Sequence, residues 1–173
     1  MKSGLVLINT GPGKGKTTAA LGVTLRALGH GRRVVFLQFI KSTPTGESAF
    51  LERYALEHPD QLHYAKLGLG FVGDQPKPAD RDMAAKAMLE AEKTRPEADL
   101  VVLDELNVAI SLGLVPLDWA INFIETRPDQ QDLVITGRDC PAQLQDLAHT
   151  VTEMLEVKHA YRQGIKAKKG LDY

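Results

Sequence analysis

One cysteine, Cys140, is too few for an internal disulfide and suits a reducing compartment. No apolar run approaches the roughly 20 residues that cross a bilayer. The first run, Leu5, Val6, Leu7 and Ile8, is also too short for a signal peptide's hydrophobic region. Net charge is nearly absent: 21 Lys and Arg against 22 Asp and Glu leave −1, so no overall field draws the chain to nucleic acid or a membrane surface. The five histidines, at 30, 58, 63, 149 and 159, lack metal-ligand spacing and read as scattered surface or satisfied side chains. Repeats, linkers and low-complexity tracts are missing as well. A cytoplasmic protein with neither nucleic acid nor membrane as partner is the expectation. What is present is ordinary for a soluble domain: 43% hydrophobic and 25% charged residues in 173, enough for a single domain over 1–173 with one core.

Short apolar runs alternate with segments of helical spacing. Residues 5–8, 34–37, 100–103 and 133–136 read as buried strands, 62–65 as a weaker one, and 151–155 as a last strand. Helices are expected over 17–28, with Leu21, Leu25 and Leu28 on one face, and over 47–57 and 79–95, the latter with Met83, Ala87 and Met88 toward the core. Two more are expected over 117–126 and 142–148. Residues 68–78 hold three Gly and two Pro and read as a loop. This alternation predicts an α/β fold, a mostly parallel sheet with helices on both faces. Ligands of such sheets bind beyond the carboxyl ends of the strands, so the loops that follow the apolar runs carry the site.

The first of these loops is Thr10-Gly11-Pro12-Gly13-Lys14-Gly15-Lys16-Thr17-Thr18, between a strand and a helix. Backbone N–H groups of such a loop wrap phosphate oxygens, and the helix start adds a positive dipole end. Lys16 supplies a point charge and Thr17 a hydroxyl for magnesium. The first Gly of G-x-x-x-x-G-K-[ST] would fall on Thr10, so this P-loop is shortened or modified, within a P-loop NTPase-like three-layer fold. A dinucleotide fingerprint would need Gly where Lys16 stands. Asp104 and Glu105 follow four apolar residues, the pattern of a Walker-B strand. One of them binds the metal directly or through water, and the other orients a water or ligand.

Further segments sharpen the picture. The loop through Ala20, then Gln38-Phe39-Ile40-Lys41, Val102-Leu103-Asp104-Glu105-Leu106 and Ile135-Thr136-Gly137-Arg138 resemble the ATP:corrinoid adenosyltransferases of the CobA/CobO/BtuR type. So do Leu147-Ala148, Val157-Lys158-His159 and the ending from Gly164 through Gly170-Leu171-Asp172-Tyr173. The resemblance runs almost end to end and keeps its order. It implies transfer of the 5′-deoxyadenosyl group of ATP to Co(I) of a reduced corrinoid, with release of triphosphate, Mg2+ or Mn2+ as cofactor, and a homodimer. A flavoprotein reductase would supply Co(I). In this family ATP lies reversed relative to ordinary P-loop ATPases, a reason for the shortened loop. The resemblance gives Thr10, Gly11, Gly13, Lys14, Gly15, Lys16, Thr17 and Thr18 to the nucleotide, Thr17, Asp104 and Glu105 to the metal, and Lys16 and Arg138 to the charge that develops in catalysis. Phe71, Phe39 and Lys41 fall to the corrinoid, with the 68–78 loop as a lid. Two departures stand out: Gly73 occupies a position where the family often has Trp, and Pro12 one where it often has Asn. The chain also enters its first strand at once, which implies that an N-terminal arm reaching a partner's site is absent.

Two other classes use the same loop. A small-molecule kinase or ATPase needs an acceptor base and lid arginines, and the 68–78 loop has no Arg. A nucleotide-switched binding module needs phosphate-sensing loops and a large apolar patch. Cys140, two residues after Arg138, reads as an inert thiol near the site. The basic tail, Lys166, Lys168 and Lys169, is either a solvated end or a segment that closes over an anion.

Overall fold

The computed structural model describes residues 3–70, 72 and 75–173. Strands β1 (Val6–Thr10), β2 (Val34–Gln38), β3 (Leu62–Lys66), β4 (Leu100–Asp104), β5 (Asp132–Thr136) and β6 (Thr150–Glu153) form one sheet in the order β3-β2-β4-β5-β1-β6. Every pairing is parallel. The helices are α1 (Lys16–Gly29), α2 (Gly46–Glu57), α3 (Pro78–Thr94), α4 (Leu106–Ser111), α5 (Leu117–Glu125) and α6 (Ala142–Leu147).

Strand residues alternate between two hydrophobic clusters, as a period of two requires. Val34, Phe36, Leu100, Val102 and Val134 face Ala20, Ala27 and Leu28 of α1 and Leu51 of α2. Val35, Leu37, Val101, Leu103, Leu133 and Ile135 face Ala84, Ala87 and Ala91 of α3 and Ala120, Phe123 and Ile124 of α5. Helices therefore cover both faces, and the expected three layers are present.

Four differences are local. The buried face of α1 is Ala20, Thr24, Ala27 and Leu28, whereas Leu25 is 66% exposed. The core face of α3 is three alanines; Met88 packs at its margin and Met83 is half-buried. Small side chains let both helices approach the sheet closely. Helix α4, six residues long, was not expected, because Leu106–Ser111 is too short to show a period. The last strand is Thr150–Glu153 rather than 151–155, and its four residues are all exposed. Among the described residues, no helix is long and apolar enough to cross a membrane.

Candidate active site

The sheet order makes β2, β4, β5 and β1 neighbours, so the segments that leave their carboxyl ends meet at one edge. The first turns from β1 into α1. Gly13 N donates to Met154 O at 2.6 Å. A Cβ at Gly11 or at Gly13 would lie 2.6 Å from that same oxygen, so the chain after β6 presses on the loop and glycine is required at both positions. Lys16 folds back and donates to Gly11 O and Gly13 O, both at 2.7 Å. It is 7% exposed. Burial lowers its pKa, and the nearby charges of Arg138 and Lys41 lower it further, against the opposing pull of Glu105 and Asp104. The ammonium is thus held among oxygens at the start of a 14-residue helix whose first N–H groups have no side-chain cap.

The second segment is acidic. Asp104 ends β4 with no exposed surface. Its Oδ1 accepts from Thr17 Oγ1 at 2.9 Å and from Thr136 Oγ1 at 2.7 Å. Its Oδ2 accepts from Gln38 Nε2 at 2.9 Å and from Lys41 Nζ at 3.3 Å. Gln38 is oriented in turn by Tyr64, whose hydroxyl donates to Gln38 Oε1 at 2.7 Å. Burial first, then the charges of Glu52 and Asp104, raise the Tyr64 pKa, so the phenol stays a donor. Glu105 follows in left-handed backbone, φ 62°, with its N–H on Thr136 Oγ1 at 2.9 Å. A non-glycine residue there stores strain on the order of 1 kcal/mol. Burial and the neighbouring Asp104 raise the Glu105 pKa, with Lys41, Lys16 and Arg138 opposing.

A divalent cation fits this donor set. Thr17 Oγ1, Asp104 Oδ2 and Glu105 Oε1 already converge on one cation, the Lys41 ammonium, at 2.7, 3.3 and 3.9 Å. All three are hard oxygens, the kind magnesium takes, and one or two carboxylates suffice when phosphates supply the rest. Among the described residues no group of three or more His, Cys, Asp or Glu forms a metal cage.

A cleft of about 480 Å3 opens over these groups, lined by 12–18, Lys41, Glu105 and Arg138. Arg138 is exposed and follows Gly137, whose φ is 132°. A Cβ at Gly137 would meet that of Asn107 at 2.9 Å, so close packing on α4 sets where Arg138 emerges.

The sequence profile of a family described as ATP:corrinoid adenosyltransferase BtuR/CobO/CobP matches residues 2–173. The chain belongs to this family. Among the relatives of this adenosyltransferase is the corrinoid adenosyltransferase of Pseudomonas aeruginosa, 42% identical over 98% of this chain and 84% of its own length. The corrinoid adenosyltransferase CobA of Salmonella typhimurium is 40% identical over 98% of this chain and 86% of its own length. A crystal structure of the flagellar accessory protein FlaH from Methanocaldococcus jannaschii superposes with a TM-score of 0.58 at 15% identity, over 87% of this chain and 70% of that one. That likeness concerns the fold alone.

Within the adenosyltransferase the expected residues divide. Lys14, Gly15, Lys16, Thr17, Thr18, Glu105 and Arg138 share the cleft, with Gly13. Thr10 and Gly11 line a second cleft of about 540 Å3 on the other side of Pro12, where Thr10 Oγ1 accepts from Cys140 N at 3.3 Å. Burial pushes the Cys140 thiol up to about 11, in keeping with an inert side chain. Phe39 needs correcting as a corrinoid wall. It is 2% exposed and packs in the core with its ring 6.4 Å from that of Trp119, so no ligand can reach it. Lys41, also given to the corrinoid, turns onto Thr17 and Asp104 because that is where the negative charge lies. Phe71 and Gly73 lie outside the described residues.

The sequence reading missed several members of the site. Thr136 and Gln38 sat inside quoted motifs but drew no role, because each needs the neighbouring strand to bring it to Asp104. Glu47, Glu156, His159 and Asp172 also line the cleft, three of them from the last 18 residues. Asp172 forms an ion pair with Lys14, whose Nζ is also 3.3 Å from Leu171 O. The tail therefore does reach the anion loop, but by its acidic end; Lys166, Lys168 and Lys169 do not line the cleft.

Proposed function

We propose that this adenosyltransferase joins the C5′ carbon of ATP to Co(I) of a reduced corrinoid at the 480 Å3 cleft, and that the residues around it act mainly on the leaving triphosphate. The observation that carries the reading is the convergence of a P-loop lysine, Thr17 and Glu105 on one cleft, with buried Asp104 hydrogen-bonded to Thr17, in a chain of this family.

In the reaction the cobalt electron pair forms the Co–C5′ bond as the C5′–O bond breaks, and that bond's electrons leave on the triphosphate. Co(I) becomes Co(III), and no side chain has to remove a proton. The protein's work is alignment and charge stabilisation. Lys16, buried and held by two carbonyls of the loop, lends its charge to the phosphate oxygens from where it stands. Lys14 and Arg138, which line the same cleft, add positive charge. Thr17, Asp104 and Glu105 would hold Mg2+ or Mn2+, which supplies further neutralisation of the triphosphate. Thr136, Gln38 and Tyr64 keep Asp104 in one orientation. Phe71 against the corrinoid is supported by the family pattern alone. So are a homodimer, a cytoplasmic setting and a flavoprotein reductase as electron donor.

The test supplies ATP, Mg2+ and chemically reduced cobalamin to the purified chain. A light-sensitive cobalt–carbon product in equal amount to triphosphate is the expected result. Release of ADP or phosphate in its place would return the chain to the kinase or ATPase class.

A further inference from the structure

Asp104 has four donors, and they are not equivalent. Thr136 and Gln38 are fully or almost fully buried, with 0% and 2% exposure, and Gln38 is tied to Tyr64. Thr17 is fixed in the first turn of α1. Lys41 alone reaches the carboxylate on a long flexible stem, and its side chain is 33% exposed. The backbone just before it is pinned: Phe39 N donates to Asp104 O at 3.0 Å, and Ile40 O accepts from Gly70 N at 2.9 Å. A fixed base with a long, partly exposed side chain held only at its tip is the arrangement of a group that swings.

Its ammonium sits at the meeting point of Thr17 Oγ1, Asp104 Oδ2 and Glu105 Oε1. These are the oxygens that the proposed function gives to the divalent cation, so the inference rests on that reading. An ammonium and a divalent ion exclude each other there, by volume and by like charge. Lys41 also lines the same cleft as Lys14, Lys16 and Arg138, so a polyphosphate in that cleft is within its swing.

We propose that Lys41 is a positioning residue that acts as the built-in counter-cation of the acidic cluster, yielding its place to the divalent ion and carrying its charge to the polyphosphate. In this arrangement the oxygens are held at cation-binding distance before the metal arrives, and two carboxylates side by side are never left without positive charge. Metal alone binds poorly because it must displace the ammonium. With ATP, the displaced ammonium has a second anion to meet, so metal and nucleotide favour each other beyond their direct contact.

The experiment measures Mn2+ binding to the full chain from the electron paramagnetic resonance signal of the free ion, with and without ATP. Lys41→Met is expected to bind Mn2+ alone about tenfold more tightly than the unmodified chain, while the factor by which ATP tightens Mn2+ falls by about the same amount. Lys41→Arg, which keeps the charge, is expected to restore weak binding of Mn2+ alone. Thermal melting confirms that both variants fold. Unchanged or weaker binding of Mn2+ alone by Lys41→Met overturns the proposal, as does an ATP effect of equal size in both chains. Failure of the underlying metal reading looks different: Asp104→Asn would then leave Mn2+ affinity in the presence of ATP untouched, and both inferences fall together.

Discussion

At the cleft the ends of β1, β4 and β5, its inner wall, bury Asp104, Thr136 and Lys16, whereas most of residues 150–173, its outer wall, lie in water. Asp104, Thr136 and Lys16 are 0%, 0% and 7% exposed, and the hydrogen bonds among them and their neighbours are short and well directed. Strand β6 is exposed at all four positions, and beyond it Val157 and Tyr161 are 95% and 77% exposed. That wall meets the anion loop through Gly13 N on Met154 O and the ion pair of Lys14 with Asp172. Buried polar groups cost a great deal when left unpaired, so the inner wall has essentially one arrangement. Exposed ion pairs are worth little and are screened by salt, so the outer wall can rearrange around a ligand. The inner wall suits charge stabilisation, and the outer one suits admission and release.

Four substitutions test that contrast, in descending order of effect. Lys16→Ala removes the buried ammonium and is expected to lower the rate of triphosphate release by on the order of 10²–10³-fold or more. It also leaves Gly11 O and Gly13 O without their donor, so stability should fall by about 1–3 kcal/mol, read from urea unfolding. Retention of more than a tenth of the rate would remove Lys16 from the reaction.

Asp104→Asn sets an amide N–H₂ against donors that now face a carboxylate oxygen, either the Thr17 and Thr136 pair or the Gln38 and Lys41 pair. A loss of about 3 kcal/mol is expected. A loss under about 1 kcal/mol in the same unfolding experiment would show that the inner wall is not the rigid one.

Glu105→Gln separates stability from activity. Because the folded chain holds the Glu105 proton more tightly than the unfolded chain does, folding is favoured below the raised pKa, and that advantage is lost as pH rises through it. At pH 7 the ionised form is therefore a burden on the fold. The glutamine variant is expected to melt higher at neutral pH while losing Mg2+-dependent transfer, and the difference in melting point should shrink as pH falls. A lower melting point at pH 7 would reverse the sign of that argument.

Asp172→Asn breaks the outer ion pair and leaves the amide oxygen to accept from Lys168 N, which Asp172 Oδ2 now does at 2.7 Å. Its melting curve should match that of the unmodified chain, and the KM for ATP should change by less than about threefold, with the change fading as salt rises. A tenfold change that persists in high salt would place the tail among the rigid parts of the site.

Much of the inner wall was legible because its motifs are local. A Gly-rich turn that ends in Lys16-Thr17 and an apolar run that ends in Asp104-Glu105 each carry their meaning within nine residues, whatever the rest of the chain does. Strands β1, β2, β4 and β5 were legible for the same reason, as four-residue apolar runs, whereas β3 and the exposed β6 carry no such run. Leu25 was misplaced because a leucine at helical spacing signals a buried face only if a neighbour covers it, and α1 packs through Ala20, Thr24, Ala27 and Leu28 instead. Phe39 and Lys41, two residues apart in one motif, were both given to the corrinoid, yet the first points into the core and the second onto Asp104. Their shared motif said nothing of that divergence.

By itself, then, the order of residues determined a parallel α/β domain with an anion loop at one strand end and a carboxylate pair at another, since apolar period and turn chemistry act over a few residues. Folding in three dimensions decided what those ends become together. Strand order sets β5 between β1 and β4 and so hands Thr136 to Asp104, and it brings Gln38 from β2; the tail beyond β6 folds back to set Asp172 against Lys14. Such contacts join residues 32 to 158 positions apart, and only assembly of the sheet and the return of the tail make them neighbours.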